Sequence, residues 1–217
     1  MRVEIWSDIV CPWCYIGKAR FEQGLADFEH RDRVEVVHRS FELDPDHPKG
    51  DTVPVLDMLA AKYRVPREQA QAMEARVAEA AADAGLGYRS ERDHGNTFDV
   101  HRLLHLAKAR GRQGELLSLL YAANFAEERS LFDTETLLSA ATEAGLDAAE
   151  ARAVLDDETA YAGDVRADEQ EAAALGATAV PFFVLDRRFG VSGGQPADVF
   201  TQALRQAWEA SQVSGDK

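Results

Sequence analysis

The sequence predicts an α/β fold in which one four-stranded sheet is interrupted by a large all-helical insertion. Three observations carry that expectation. Residues 1–42 read strand–helix–strand, the middle of the chain to about residue 176 shows helical spacing and no convincing strand, and the end returns to strand–strand–helix. The two ends complete one sheet only if the middle is an insertion, which sets the expected divisions at 1–43, 44–162 and 163–217. A chain of 217 residues is long enough for one core with such a subdomain.

Each element has its own signature. Val3 to Ser7 alternate as a short strand does, and Phe21, Leu25 and Phe28 recur at helical spacing over about 12–29. Pro12 suits a first helical turn, where its missing N–H would find no partner anyway. The β-branched run 33–41 is the second strand, and 44–51 is a loop by its Asp, Pro and Gly content. Helices are expected near 53–64, 66–84, 97–110, 112–129, 133–144, 147–155 and 158–175, punctuated near Gly85, Gly111, Gly145 and Gly163. Val100, Leu103, Leu104 and Ala107 form one apolar stripe, which leaves Asn96, Phe98, His101 and His105 on the other side as a solvated or docking face. The apolar run 179–185, the turn 186–188 and the strand 189–192 follow. Gly193-Gly194 then turns the chain into a last helix with Phe200, Ala203, Leu204, Ala207 and Trp208 on one face, and the tail 211–217 is expected to fray.

Composition excludes several classes. With 38 acidic against 24 basic residues the net charge is −14, which argues against nucleic acid or an anionic membrane as partner. No apolar run is long enough to span a bilayer, and Met1-Arg2 leads straight into a strand rather than a signal peptide. The expected compartment is the cytoplasm.

The chemistry points to Cys11 and Cys14, the only cysteines, spaced C-x-x-C directly after the first strand. A structural zinc would need four ligands, and no second cysteine pair or cysteine–histidine cluster is present, so no metal site is expected. His101 and His105 stand four apart but lack the intervening Glu of a zinc-protease helix. Nor does Gly193-Gly194 lead into the Lys-Ser/Thr of a phosphate loop. In a reducing compartment such a pair is redox-active rather than a permanent staple. Cys11 falls where a strand ends and a helix begins, so its sulfur faces unpaired N–H groups and the positive end of the helix dipole, which favour a thiolate. Cys14 lies one turn further in and less exposed, placed to attack a mixed disulfide at Cys11. Cys11 is thus the expected attacking thiol and Cys14 the resolving one.

A second mark is Val180-Pro181 ahead of the apolar run. Cys11-Pro12-Trp13-Cys14 after a first strand, a helical insertion, and Val180-Pro181 before a later strand together resemble the DsbA family of thioredoxin-fold proteins. The stretches 5–17, 96–103 and 178–183 are similar to its FrnE-like branch. The resemblance implies a thioredoxin-like fold and a dithiol–disulfide oxidoreductase or isomerase. It implies a cis Pro181 beside the cysteines, with Pro12, Trp13 and Val180 meeting a thiol or disulfide substrate (protein, peptide or small molecule). Asn96 and His101 are weaker candidates for substrate contact, as a roof over the cysteines. No cofactor is expected beyond the redox pair itself. Glutathione is open as a co-substrate, and a homodimer is open as an assembly.

One departure matters. Periplasmic members of the DsbA family carry histidine after the motif's proline, and this chain has Trp13; indole cannot supply the positive charge that stabilises a thiolate. Strong oxidising power is therefore not carried over. The competing reading is a glutathione-dependent isomerase or transferase, because kappa-class glutathione transferases and chromene-carboxylate isomerases are similar in fold and insertion. Those enzymes need no second thiol, so retention of Cys14 favours redox chemistry. A peptide-binding module with an incidental redox pair is the third reading.

Overall fold

The computed structural model describes residues 1–127 and 129–215. The described residues divide into two compact units, one formed by 1–41 with 168–215 and the other by 42–167.

In the first unit β1 (Arg2–Ser7), β2 (Glu35–Ser40), β5 (Phe182–Leu185) and β6 (Phe189–Ser192) form one sheet in the order β2-β1-β5-β6. β1 runs parallel to β2 and antiparallel to β5, which pairs antiparallel with β6. Parallel β1 and β2 need a crossover, and α1 (Pro12–Ala26) with a following 3-10 turn (Arg31–Arg33) supplies it. Val3 and Ile5 point to one face of the sheet and pack with Phe21 and Phe28 of the crossover, Phe183 and Leu185 of β5, and Phe200 and Leu204 of α9 (Ala197–Gly215). The aromatic pairs Phe21–Phe183 and Phe183–Phe200 sit 5.4 and 4.6 Å apart, in the range of favourable ring contacts.

The opposite face of β1 is also buried, which alternation alone does not suggest. Glu4 is 1 % exposed there and Trp6 fully covered. The Trp6 indole N–H donates to the Asp168 carbonyl at 2.8 Å. Arg39 bridges the Glu4 and Asp168 carboxylates, and Arg187 donates to both oxygens of Glu4. Burial pushes the Glu4 carboxyl up, but the Arg187 and Arg39 guanidinia outweigh it and hold the group below its ordinary value. A buried carboxylate is tolerable only with such partners.

Asp168 also accepts the Ser40 N–H at 3.0 Å, which ties α8 (Ala162–Ala174) to β2; the later division of the chain falls at 167/168, with 162/163 the expected one. The earlier boundary is 41/42 where 43/44 was expected.

The second unit is mainly helical: α2 (Val55–Tyr63), α3 (Arg67–Asp83), α4 (Phe98–Ala109), α5 (Gln113–Phe125), α6 (Thr134–Glu143), α7 (Ala148–Asp156) and the start of α8. It departs from expectation in three ways. β3 (Thr52–Pro54) pairs antiparallel with β4 (Asp93–Gly95), where no strand was predicted. Three residues are too few to show a period of two, and β3 is exposed throughout. Pro54 ends that strand and caps α2, so the helix starts at Val55. The third concerns α4, whose second face was expected to be solvated or to dock: every residue from Val100 to Ala107 is buried, including His101 and His105, so that face is not solvated. Arg102, with no exposed surface, makes this possible. Its guanidinium donates to the Asp99 carboxylate and to the carbonyls of Val154, Asp157 and Ala160, where α7 ends and a cation is welcome.

Two helix ends also differ. α5 stops at Phe125 rather than near 129, residue 128 lying outside the described residues, and α9 continues through 211 to Gly215, with the last two residues outside the description.

Candidate active site

β1 ends at Ser7, and a turn closed by the Cys11 N–H on the Asp8 carbonyl at 3.2 Å delivers Cys11 to the start of α1. Cys11 is the helix N-cap, extended at φ −85° and ψ 112°, with Pro12 as the first helical residue. Its carbonyl accepts the N–H groups of Cys14 and Tyr15 at 3.0 and 3.2 Å, so the first helical bonds form around the motif. The arrangement follows from the residue types. Proline supplies helical φ where no donor is needed, and the N-cap position leaves the Cys11 side chain at the unsatisfied end of the helix.

Both cysteines are free thiols and both are buried, Cys11 5 % and Cys14 1 % exposed. They differ in surroundings. The Cys11 thiol donates to the Val180 carbonyl at 3.7 Å, an ordinary sulfur hydrogen-bond length. Cys14 lies inside the first turn. Burial pushes its thiol well above the ordinary value, the hydrogen bond and charge of Cys11 push it the same way, and the Asp8 N–H opposes them. Cys14 is therefore held as a neutral thiol beside a neighbour that lies at the helix terminus.

Val180 and Pro181 lead into β5, joined by a cis peptide. The Pro181 carbonyl accepts the Gly193 N–H at 2.8 Å, and Arg20 of α1 donates to the Gly194 carbonyl at 2.8 Å. Gly193 sits at φ +79°, where glycine alone is unstrained. Gly17 is a contact glycine: a Cβ there would lie 2.9 Å from Pro181 Cγ and 3.2 Å from Gly194 Cα. The Val180-Pro181 segment and the 193–194 turn thus stand hard against the first turns of α1.

Of the sequence-predicted residues, Cys11, Cys14, Val180 and Pro181 come together in this way. Pro12 is half-buried, and Trp13, 42 % exposed, flanks the motif at the surface. Asn96 and His101 belong to the helical unit. The Asn96 amide donates to the His47 carbonyl at 2.9 Å and accepts the Phe98 N–H at 3.0 Å, while His101 is 2 % exposed. Asp8, Gly17, Arg20 and Gly194 were not foreseen as parts of the site. The one available signal was the closeness of Asp8 and Gly17 to the cysteines in sequence.

A dithiol at a strand-to-helix turn, set against an X–Pro step of the same interrupted sheet, defines a protein of thioredoxin fold with a helical insertion. Within that class the chain belongs to the DSBA-like thioredoxin domain family, whose model matches residues 2–205. It is 67 % identical to a probable DsbA oxidoreductase from Streptomyces coelicolor, whose crystal structure superposes with a TM-score of 0.94 over 96 % of this chain and 90 % of that one. Two more distant structures share the fold. A 2-hydroxychromene-2-carboxylate isomerase matches with a TM-score of 0.68 at 13 % identity, covering 100 % of both chains. The cytosolic disulfide reductase DsbM from Pseudomonas aeruginosa, in a structure with glutathione, matches with a TM-score of 0.63 at 18 % identity over 96 % of this chain and 100 % of that one. Among the described residues no helix is long and apolar enough to cross a membrane.

Proposed function

We propose that the protein is a dithiol–disulfide oxidoreductase, working chiefly as a reductase or isomerase of peptide or glutathione-type disulfides in the cytoplasm. The observation that carries this reading is the inequality of the two thiols. Cys11 lies at the helix N-cap with its sulfur on the Val180 carbonyl, and Cys14 is a buried, neutral thiol one turn away.

The Cys11 thiolate attacks one sulfur of the substrate disulfide; that S–S bond breaks, and the other substrate sulfur leaves as a thiolate and takes a proton from solvent. Cys14 then loses its proton and attacks Cys11 Sγ, which breaks the mixed disulfide and expels the second substrate thiol. The substrate gains two electrons and two protons, and the enzyme is left with a Cys11–Cys14 disulfide. A thiol such as glutathione, or another dithiol, returns the pair to the reduced state. A buried neutral Cys14 suits this order, because it stays inert until the mixed disulfide stands beside it. An extended substrate meeting the backbone at Val180 would bring its sulfur to Cys11, and Trp13 offers an exposed apolar wall next to it. Trp13 in place of a cationic neighbour supports the reducing direction.

The alternative, a glutathione-dependent isomerase, draws on the shared fold with the chromene-carboxylate isomerase. One assay pair separates the two. The reduced protein, with glutathione as the reductant, is expected to reduce the interchain disulfides of insulin over many turnovers, and to leave a chromene carboxylate plus glutathione unchanged. Turnover of the chromene without insulin reduction would replace this reading by the isomerase.

A further inference from the structure

Apart from the cysteines, the described residues bring together one other cluster of metal-ligating side chains, and it lies wholly within the helical unit: Asp44, His47 and His94. We propose that these three residues form a binding site for a divalent first-row transition cation of the zinc type.

The geometry is that of a ligand set. Asp44 Oδ2 lies 3.2 Å from His94 Nε2 and 3.5 Å from His47 Nδ1, and the three atoms lie within 4.8 Å of one another. Ligand atoms held about 2.0–2.2 Å from a common ion are about 3–3.5 Å apart, so two of the three edges already have that length. The third edge is the one an ion would draw in.

The placement of the His47 ring fits as well. Its Nε2 is 3.1 Å from the Asp51 carbonyl, to which it donates when it carries the ring proton. Nδ1 then turns a lone pair toward the Asp44 carboxylate, and two acceptors face each other 3.5 Å apart. A cation resolves that opposition, and a histidine ligand whose other nitrogen donates to a backbone carbonyl is the usual second-shell arrangement. Two imidazoles and one carboxylate match a borderline cation better than calcium or magnesium, which prefer oxygen ligands.

The cluster is also braced from behind. Asn96 ties the loop to the start of α4 by donating to the His47 carbonyl. Gly95 lets β4 close on the same loop: a Cβ there would lie 3.1 Å from the Asp51 carbonyl and 2.9 Å from the Phe132 ring. His94 is buried, while the Asp44 side chain is 44 % exposed, which leaves an approach for the ion and room for water to complete its coordination.

The redox reading does not bear on this site, but the cysteine pair would compete for a soft metal. The experiment therefore uses the full chain carrying Cys11→Ser and Cys14→Ser. Titration with Co²⁺, followed by its visible absorption, and with Zn²⁺ by calorimetry should each reveal one saturable equivalent, and Zn²⁺ should raise the thermal midpoint. Adding Asp44→Asn, or separately His94→Gln, should weaken binding at least about tenfold and abolish the rise in midpoint. The Asp44 side chain is only half-buried, so its variant should keep the fold, and circular dichroism verifies it. No saturable binding, or binding that survives both substitutions, would overturn the site and leave Asp44 and His94 as an ordinary hydrogen-bonded pair.

Discussion

Cys11→Ser is expected to reduce disulfide turnover by at least about a thousandfold, to the background of free thiol exchange, because it removes the atom that forms the covalent intermediate. The substitution exchanges sulfur for oxygen at a buried N-cap. Serine is among the preferred residues there, so the helix start is preserved or strengthened. Activity and stability should therefore separate: the variant folds as well as its parent but no longer attacks disulfides. Cys14 cannot substitute for the lost thiol, since burial keeps it protonated and it sits behind the first turn. Insulin reduction that persists in Cys11→Ser would mean that the attacking group has been misassigned.

The largest structural effect should come from Gly24. A Cβ at this buried position of α1 would lie 2.5 Å from the Ala197 carbonyl oxygen and 2.9 Å from Phe200 Cβ, both at the start of α9. The Thr201 hydroxyl lies in the same seam, 3.0 Å from the Gly24 carbonyl and 3.1 Å from that of Ala197. Gly24→Ala gains up to about 1 kcal/mol of helix propensity. It must, however, push α9 away from α1, and overpacking against backbone costs about 3 kcal/mol. Overpacking wins, and a net loss of about 2 kcal/mol should lower the thermal midpoint by about 5 °C. Gly114→Ala is the control: nothing lies within 4 Å of its added Cβ, so the helix gain stands alone and stability is unchanged or raised. Equal midpoints for Gly24→Ala and the parent would refute the close α1–α9 contact.

The cysteines and the Val180-Pro181 step were legible because each is a local pattern. A strand, two thiols and a helix occupy consecutive residues, and an apolar run follows the proline. The long helices were legible for a similar reason, since Ala- and Leu-rich spacing repeats over many turns. What stayed hidden depends on approach in space. Glu4 reads as a solvent-facing strand residue until Arg39 of β2 and Arg187 of the β5–β6 turn arrive to neutralise it. Arg102 reads as one charge on a polar helix face, but its guanidinium is spent on the carbonyls that end α7, and α4 is buried around it. The β3–β4 ribbon has three residues a side, below the length at which alternation can be recognised. His47 and His94 are far apart in sequence and meet at Asp44 only in space. Gly17 and Gly24 are ordinary helical glycines in sequence, and only their neighbours show why no side chain fits.

The division of labour between the two thiols is the central claim, and trapping tests it most directly. Cys14→Ser protein, reduced and then mixed with a peptide or glutathione disulfide, is quenched by acid and weighed intact by mass spectrometry. The expected product is a stable one-to-one mixed disulfide that maps to Cys11, whereas the parent passes through it to the intramolecular disulfide and releases its substrate. An adduct at Cys14 in the complementary Cys11→Ser variant, with none at Cys11 in Cys14→Ser, would contradict the assignment.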